Sequence, residues 1–259
     1  VKKNKSISRG RSSAKPVGIA RALSKFGYCS RSQAARLVRE GRVRLNGAVT
    51  KNPEAPVRLA KDRIHVDGQF LGAAEKIYLL LNKPRGIVTT ASDEKGRDTV
   101  YSLLPSNAAW ISPVGRLDQA SEGLLLLTND SEWAARITDP ASRLDKIYHV
   151  HIGALADDQI LRALERGVEV LKGEMLKAKR VTILRSGEKH CWLEIILNEG
   201  KNRQIRRALR ALGVEVLRLI RVSIGPVTLG ELAKGAHRVL RAEEKAALDS
   251  VLRRARTTL

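Results

Sequence analysis

Apolar residues near the start of the chain fall first at helical and then at strand spacing. Ile19, Leu23 and Phe26 share one helix face, and Gly27 ends that helix. Ser30 is placed to cap a second helix, SRSQAARLVREG, which Gly41 closes. Alternation follows in RVRLNGAVT, with Asn46-Gly47 as a tight hairpin turn, and DRIHVDG reads as one more short strand. Beyond QFLGAAEK the spacing turns to strands: KIYLLLNKP, a turn at Pro84-Arg85-Gly86, and IVTT. ASDEKGRDTVYSLLPSNAAW is polar and reads as irregular or partly helical, ahead of ISPVGRLDQASEGLLLLTND. SEWAARITDP predicts a helix stopped by Pro140. DKIYHVHIGA, EMLKAKRVTILRS and HCWLEIILNEG predict strands, and ADDQILRALERGV and KNRQIRRALRALG predict helices. The last stretch, AEEKAALDSVLRRARTTL, predicts a helix that caps the preceding domain or frays.

Strand runs with few helices between them predict an α+β chain with a mixed, largely antiparallel sheet. At 259 residues two domains are expected rather than one. The boundaries read as a disordered basic arm (1–16), a small α/β module (17–68), a linker (69–76), a larger domain (77–242) and a helical tail (243–259).

Charge adds a partner to this picture. The chain has 48 Lys and Arg against 27 Asp and Glu, a formal net charge of +21. Such an excess points to a polyanion, although charge also serves solubility alone. It is concentrated early: through Lys51 there are fourteen Lys or Arg and one acid, Glu40. Two cysteines, Cys29 and Cys191, are too far apart in sequence for a metal knuckle or a disulfide framework. No apolar run has the length to cross a bilayer, and VKKNKSISRGRSSAKP has no apolar signal core, so a cytoplasmic location is expected.

Residues 17–68 resemble the S-four RNA-binding domain. The matching positions are Ser30, Arg31, Ala34 to Leu37, Gly41, Val43, Leu45, Asn46 and Gly47. The resemblance implies that Arg31 and Arg39 face structured RNA, reading its shape and phosphates more than its bases.

Several chemistries lack their motifs. There is no P-loop, no dinucleotide glycine fingerprint after a strand and no nucleophile-elbow serine. His149 and His151 share a strand face but have no acid or cysteine cluster to complete a metal site. The tryptophans and phenylalanines read as core rather than as a base-stacking platform. Neither a metal nor another cofactor is expected.

Three remaining stretches carry chemistry: GRLDQASEGLLLLTND with Asp118, DKIYHV with Lys146 and Tyr148, and LNEGKNRQIRRALRALG with Arg203, Arg206 and Arg207. In that order they resemble the pseudouridine synthases that modify ribosomal RNA. NKPRGIVTT and LRLIRVSIGPVTLGELAKGAHRVL extend the likeness over about residues 77–241. The resemblance implies that Asp118 is the catalytic carboxylate, as nucleophile or base, with Arg206 as its counter-charge and Tyr148 stacked on the target base. Arg116 would fill the space left when a uridine is extruded. Lys83, Arg85, Lys146, Arg203 and Arg207 would contact RNA, and solvated surface charge is the competing reading for several of them. The expected partner is ribosomal RNA, with no membrane and with a monomeric chain. The alternative is a ribosomal-RNA-binding or assembly factor that keeps the fold without the activity.

Overall fold

A computed structural model of the chain describes residues 15–72, 75–91, 93–105 and 110–257. The expected disordered arm lies, apart from its last two residues, outside the described residues. The chain divides between Ala74 and Glu75 into two compact units.

The first unit holds β1 (Val17–Gly18), α1 (Ile19–Lys25), α2 (Arg31–Arg39), β2 (Val43–Leu45), β3 (Ala48–Val49), β4 (Pro56–Val57), β5 (Ile64–Val66) and β6 (Gln69–Phe70). Ser30 caps α2 reciprocally: its hydroxyl accepts from the Gln33 amide, and the Gln33 side chain accepts from the Ser30 amide. Asn46 and Gly47 both take positive φ, 51° and 90°, as the β2–β3 hairpin requires. The antiparallel sheet runs β3-β2-β5-β6, and β1 pairs separately with β4. Gln69 and Phe70, read from sequence as linker, are therefore the sheet's last strand, because Asp67-Gly68 turns the chain back onto β5. Ile19, Leu23, Ala34, Val38, Val43, Val57 and Ile64 make the core. Arg31 and Arg39 are exposed.

The second unit is built on one large mixed sheet. Its first half comprises β7 (Tyr78–Lys83), β8 (Ser112–Pro113), β9 (Glu122–Thr128), α3 (Ser131–Thr138), β10 (Lys146–Ile152), α4 (Asp158–Arg166), β11 (Val168–Val170) and β12 (Glu174–Leu176). The second half comprises β13 (Arg180–Ser186), β14 (Cys191–Leu197), α5 (Gln204–Ala211), β15 (Val216–Ile224), β16 (Val227–Thr228), β17 (His237–Val239) and α6 (Ala242–Thr257). The strand order is β13-β14-β10-β15-β9-β7-β17, with β8 against β9 and β16 against β15. Only β15 and β9 are parallel among these pairs.

That central strand explains the leucine run. Leu124 and Leu126 pack with Trp133, Ile137, Leu248 and Leu252 from α3 and α6. Leu125 and Leu127 point the other way, against Leu79, Leu81, Val100 and Ile111. A strand covered on both faces has no polar alternation to show. The run IVTT, by contrast, forms no strand and contributes one isolated bridge from Val88 to Thr99. EMLKAKRVTILRS divides into β12 and β13, which belong to different sheets.

Candidate active site

Asp118 sits in the turn that enters β9, where the Ser121 amide closes back on its carbonyl at 3.0 Å. The position of this turn depends on Lys83, the last residue of β7. Its side chain is fully buried, and Nζ donates to the carbonyls of Pro84 (3.0 Å), Asp118 (3.2 Å) and Ser121 (2.9 Å). Lys83 thus does not line an RNA path, contrary to the sequence reading. The apolar strand before it carries it into the interior, and three carbonyls replace its water. Burial pushes its ammonium down to about 8, against the opposing pull of the Asp118 and Glu122 charges.

Gly123 sets the distance from the Asp118 turn to the middle of the sheet. It has φ +100°, and a Cβ there would stand 2.3 Å from the Arg221 carbonyl, so the parallel approach of β9 to β15 needs glycine. Tyr148 lies on β10, across β15 from β9, and its register partner on β15 is Arg221. Tyr148 is half-buried and packs against both apolar clusters that meet at the cleft.

Asp118 and Tyr148 line one cleft of about 480 Å³ together with Arg116, Lys146, Arg203 and Arg206. The sequence reading gave Asp118 the counter-charge of Arg206. The ion pair present is instead with Arg203, whose Nη1 is 3.7 Å from Asp118 Oδ2. Arg203 precedes α5 in a left-handed conformation (φ 48°, ψ 33°). Arg206, one turn further on, is taken up by backbone: Nη2 donates to the Ala120 carbonyl at 2.9 Å and Nη1 to that of Val216 at 3.1 Å. Its Nε is buried with no partner among the described residues. Burial lowers its pKa, the Arg203 charge adds to that, and the Asp118 charge opposes it. Arg206 therefore ties the Asp118 turn to β15 while still feeling the carboxylate.

The remaining predicted residues separate by environment. Arg116 is exposed at the rim and makes no ion pair among the described residues. Arg85 is exposed and donates to the Leu217 carbonyl at 3.4 Å. Lys146 lines the cleft, and burial followed by the nearby Arg221 charge lowers its pKa. Arg207 is not free for RNA as expected, because Glu174 of β12 binds its guanidinium. His149 pairs with Glu194 at 3.7 Å, and His151 stacks on Trp192.

Two supports of the site, the Lys83 clamp and the Gly123 contact, are not evident from sequence. Only Asn82-Lys83-Pro84 at the end of an apolar strand hinted at the first. Arg221 of β15 also lines the cleft. It is 6% exposed, its Nε donates to the Leu124 carbonyl at 2.8 Å, and its Nη2 has no partner among the described residues.

Both units have matches among known protein families. The RNA pseudouridylate synthase family model matches residues 77–211, and the S4 domain model matches residues 18–68. An RNA pseudouridine synthase of Aquifex aeolicus (strain VF5), described as uncharacterized, is 38% identical over 90% of this chain and 93% of its own. Ribosomal large subunit pseudouridine synthase B of Bacillus subtilis (strain 168) is 35% identical over 87% of this chain and 93% of its own. A pseudouridylate synthase crystal structure superposes with a TM-score of 0.64 at 28% identity, covering 90% of this chain and 99% of that one.

Proposed function

The chain belongs to the RNA pseudouridylate synthase family and carries an S4 domain, and from that premise we propose that it isomerises a uridine of large-subunit ribosomal RNA. The relatives of Bacillus subtilis and Yersinia pestis are named for that subunit, which favours it over the small one. The reaction breaks the bond from N1 to the ribose, turns the uracil, and joins C5 to the same sugar carbon. C5 gives up its proton and N1 gains one, so nothing is oxidised and no group leaves the nucleotide.

The observation that carries the residue assignment is the convergence of Asp118, Tyr148, Arg203 and Arg206 on one cleft. Asp118 is the catalytic carboxylate, attacking as a nucleophile or drawing off a proton. Its Arg203 partner holds the carboxylate in place and supplies positive charge close by. Arg206 acts as a positioning residue through the Ala120 carbonyl. Tyr148 offers a ring against which the extruded base stacks, and Arg116 at the rim takes the vacated space in the RNA. Lys146 faces the same cleft as a cation for the nucleotide. Residues 17–68 form the RNA-docking module, with Arg31 and Arg39 on its exposed surface.

Two measurements test this. Ribosomal RNA from cells lacking the protein is expected to lose pseudouridine at one large-subunit position, restored by the intact gene. Tritium release from 5-tritiated uridine in a large-subunit transcript is expected for the wild-type protein and not for Asp118→Asn, with RNA binding retained. Unchanged pseudouridine maps, or full turnover by Asp118→Asn, would overturn the proposal.

A further inference from the structure

The three tryptophans have different surroundings. Trp133 is buried in the core at 1% exposure, and Trp110 stacks on Tyr101 with centroids 5.3 Å apart. Trp192 does neither. It stands on β14 next to Leu193 in the chain, and Leu193 and Ile195 point into the core that also receives Tyr148. Alternation along a strand therefore puts Trp192 on the opposite face. The same alternation puts His151 of β10 on that face with it.

Register turns these positions into a row. Trp192 pairs with His151 on one side and Arg185 on the other, and His151 pairs in turn with Arg218. The rings of His151 and Trp192 are parallel within 2° at 4.9 Å, and His190 meets His151 edge-on at 5.6 Å. The Arg185 and Arg218 guanidiniums lie 5.2 and 5.9 Å from the Trp192 ring. Four strands at ordinary spacing make the row roughly 14 Å long. Next to it, the hairpin from Arg185 to His190 lines a shallow groove with exposed Lys189.

A sheet face built for solvent alone has no need of a tryptophan, and one built to be covered by apolar partners would not flank it with cations. Arg185 and Lys189 have no ion pair among the described residues, whereas Glu188 is the one acid lining the groove. The inner end of the row abuts β9. Arg218 donates to Glu122 at 2.8 Å, and Glu122 is the first residue of β9 after the Asp118 turn.

We propose that this row is a second RNA contact, in which a single-stranded segment of the substrate stacks a base on the Trp192–His151 platform while Arg185 and Lys189 neutralise its phosphates and Arg218, paired with Glu122, walls its inner end. Aromatic rings interleaved with cations bind single strands without reading sequence, since every base has a stacking face. The strong positive charge of the chain suits the same ligand. The row spans β15 to the outer strand β13 on the face of the sheet opposite Tyr148, so it would hold a segment of the substrate other than the nucleotide in the cleft. This inference rests on the RNA-substrate reading above and extends it to a face that the reaction itself does not use.

The test uses the full-length protein and a fluorescein-labelled oligouridylate 20-mer, titrated at several salt concentrations. Trp192→Ala is expected to weaken binding roughly tenfold, the effect typical of losing one stacked base. Arg185→Glu, at an exposed position of the outer strand, is expected to weaken it and to flatten the salt dependence. On ribosomal RNA the loss in both variants is expected in KM rather than kcat. Should Trp192→Ala fail to fold, Arg185→Glu decides the matter alone. Wild-type affinity and salt slope in Arg185→Glu would overturn the proposal, as would an effect on an acidic protein ligand with oligouridylate binding unchanged. Wild-type turnover is measured separately. Turnover without any effect of these variants sinks the second contact only, and binding that follows Trp192 without turnover sinks the isomerase assignment only.

Discussion

Arg203 Nη1 stands 3.7 Å from Asp118 Oδ2, and the arginine reaches it from a left-handed backbone with φ 48°. Charge and strain are thus combined in one residue, and substitution can separate them. Arg203→Gly accepts the backbone freely and removes the guanidinium. It is expected to keep or slightly raise Tm while lowering kcat/KM by about ten- to a hundredfold, a loss of roughly 1.4–2.7 kcal/mol in transition-state stabilisation. Parallel melting and turnover measurements check this. Unaltered turnover would show the ion pair to be incidental.

Lys83→Met keeps the length of the side chain and leaves the carbonyls of Pro84, Asp118 and Ser121 without their donor. A cost of about 1–3 kcal/mol in stability is expected, with a larger fall in kcat because the Asp118 turn loses its anchor. Denaturant unfolding and turnover at saturating RNA measure the two.

The same lysine sets a pH dependence. Its folded pKa is about 8 against an ordinary 10.5, so between those values the folded protein holds fewer protons than the unfolded chain. Its contribution to stability therefore rises with pH through that window. Activity should move oppositely, falling above about pH 8 as the ammonium that clamps the turn is lost. A pH–kcat profile without an alkaline fall near 8 would rule this out.

Gly123→Ala puts a Cβ 2.3 Å from the Arg221 carbonyl in a backbone conformation of φ +100°. The β9–β15 pair must part, separating Asp118 from Tyr148. Expected are a destabilisation of about 2 kcal/mol or more and loss of turnover. A variant that melts and turns over like wild type would show the strand contact to be loose.

Glu244 anchors the start of α6 through both oxygens to Arg238, at 2.7 Å each, with Arg241 at 2.9 Å. The Arg238 hydrogen bonds hold its pKa down at about 2 from 4.5. Its contribution is therefore complete above about 4.5 and is lost as pH falls toward 2. Glu244→Gln should cost about 1–2 kcal/mol at neutral pH and little in strong acid. Urea melts at the two pH values compare them.

On the first unit, Arg31→Ala combined with Arg39→Ala should lower the slope of log affinity against log salt by about one to two if both meet phosphates. Titrations of ribosomal RNA fragments across a salt series read the slope, and an unchanged value would remove these arginines from the interface.

Local rules made much of this legible. The Ser30 N-cap, the Asn46-Gly47 turn and the leucine run of β9 each depend on near neighbours in the chain, and each formed as its residues require. The mixed, largely antiparallel character of the sheet was legible in the same way, because strand runs outnumber helical ones. Motif order pointed to Asp118, Tyr148 and Arg206 together, and these line one cleft with Arg203, although periodicity alone would not have joined them. The chain's own chemistry thus determined the elements, their caps and turns, the basic character and the residue types available for reaction. Tertiary structure decided which arginine meets Asp118, that Lys83 is interior rather than on an RNA path, that Glu174 occupies Arg207, and that Trp192 faces outward. The reason is that a charge's role depends on which carbonyl, carboxylate or ring lies within a few ångströms of it. Sheet order and register bring those partners from distant parts of the chain, and spacing along the sequence carries no record of them.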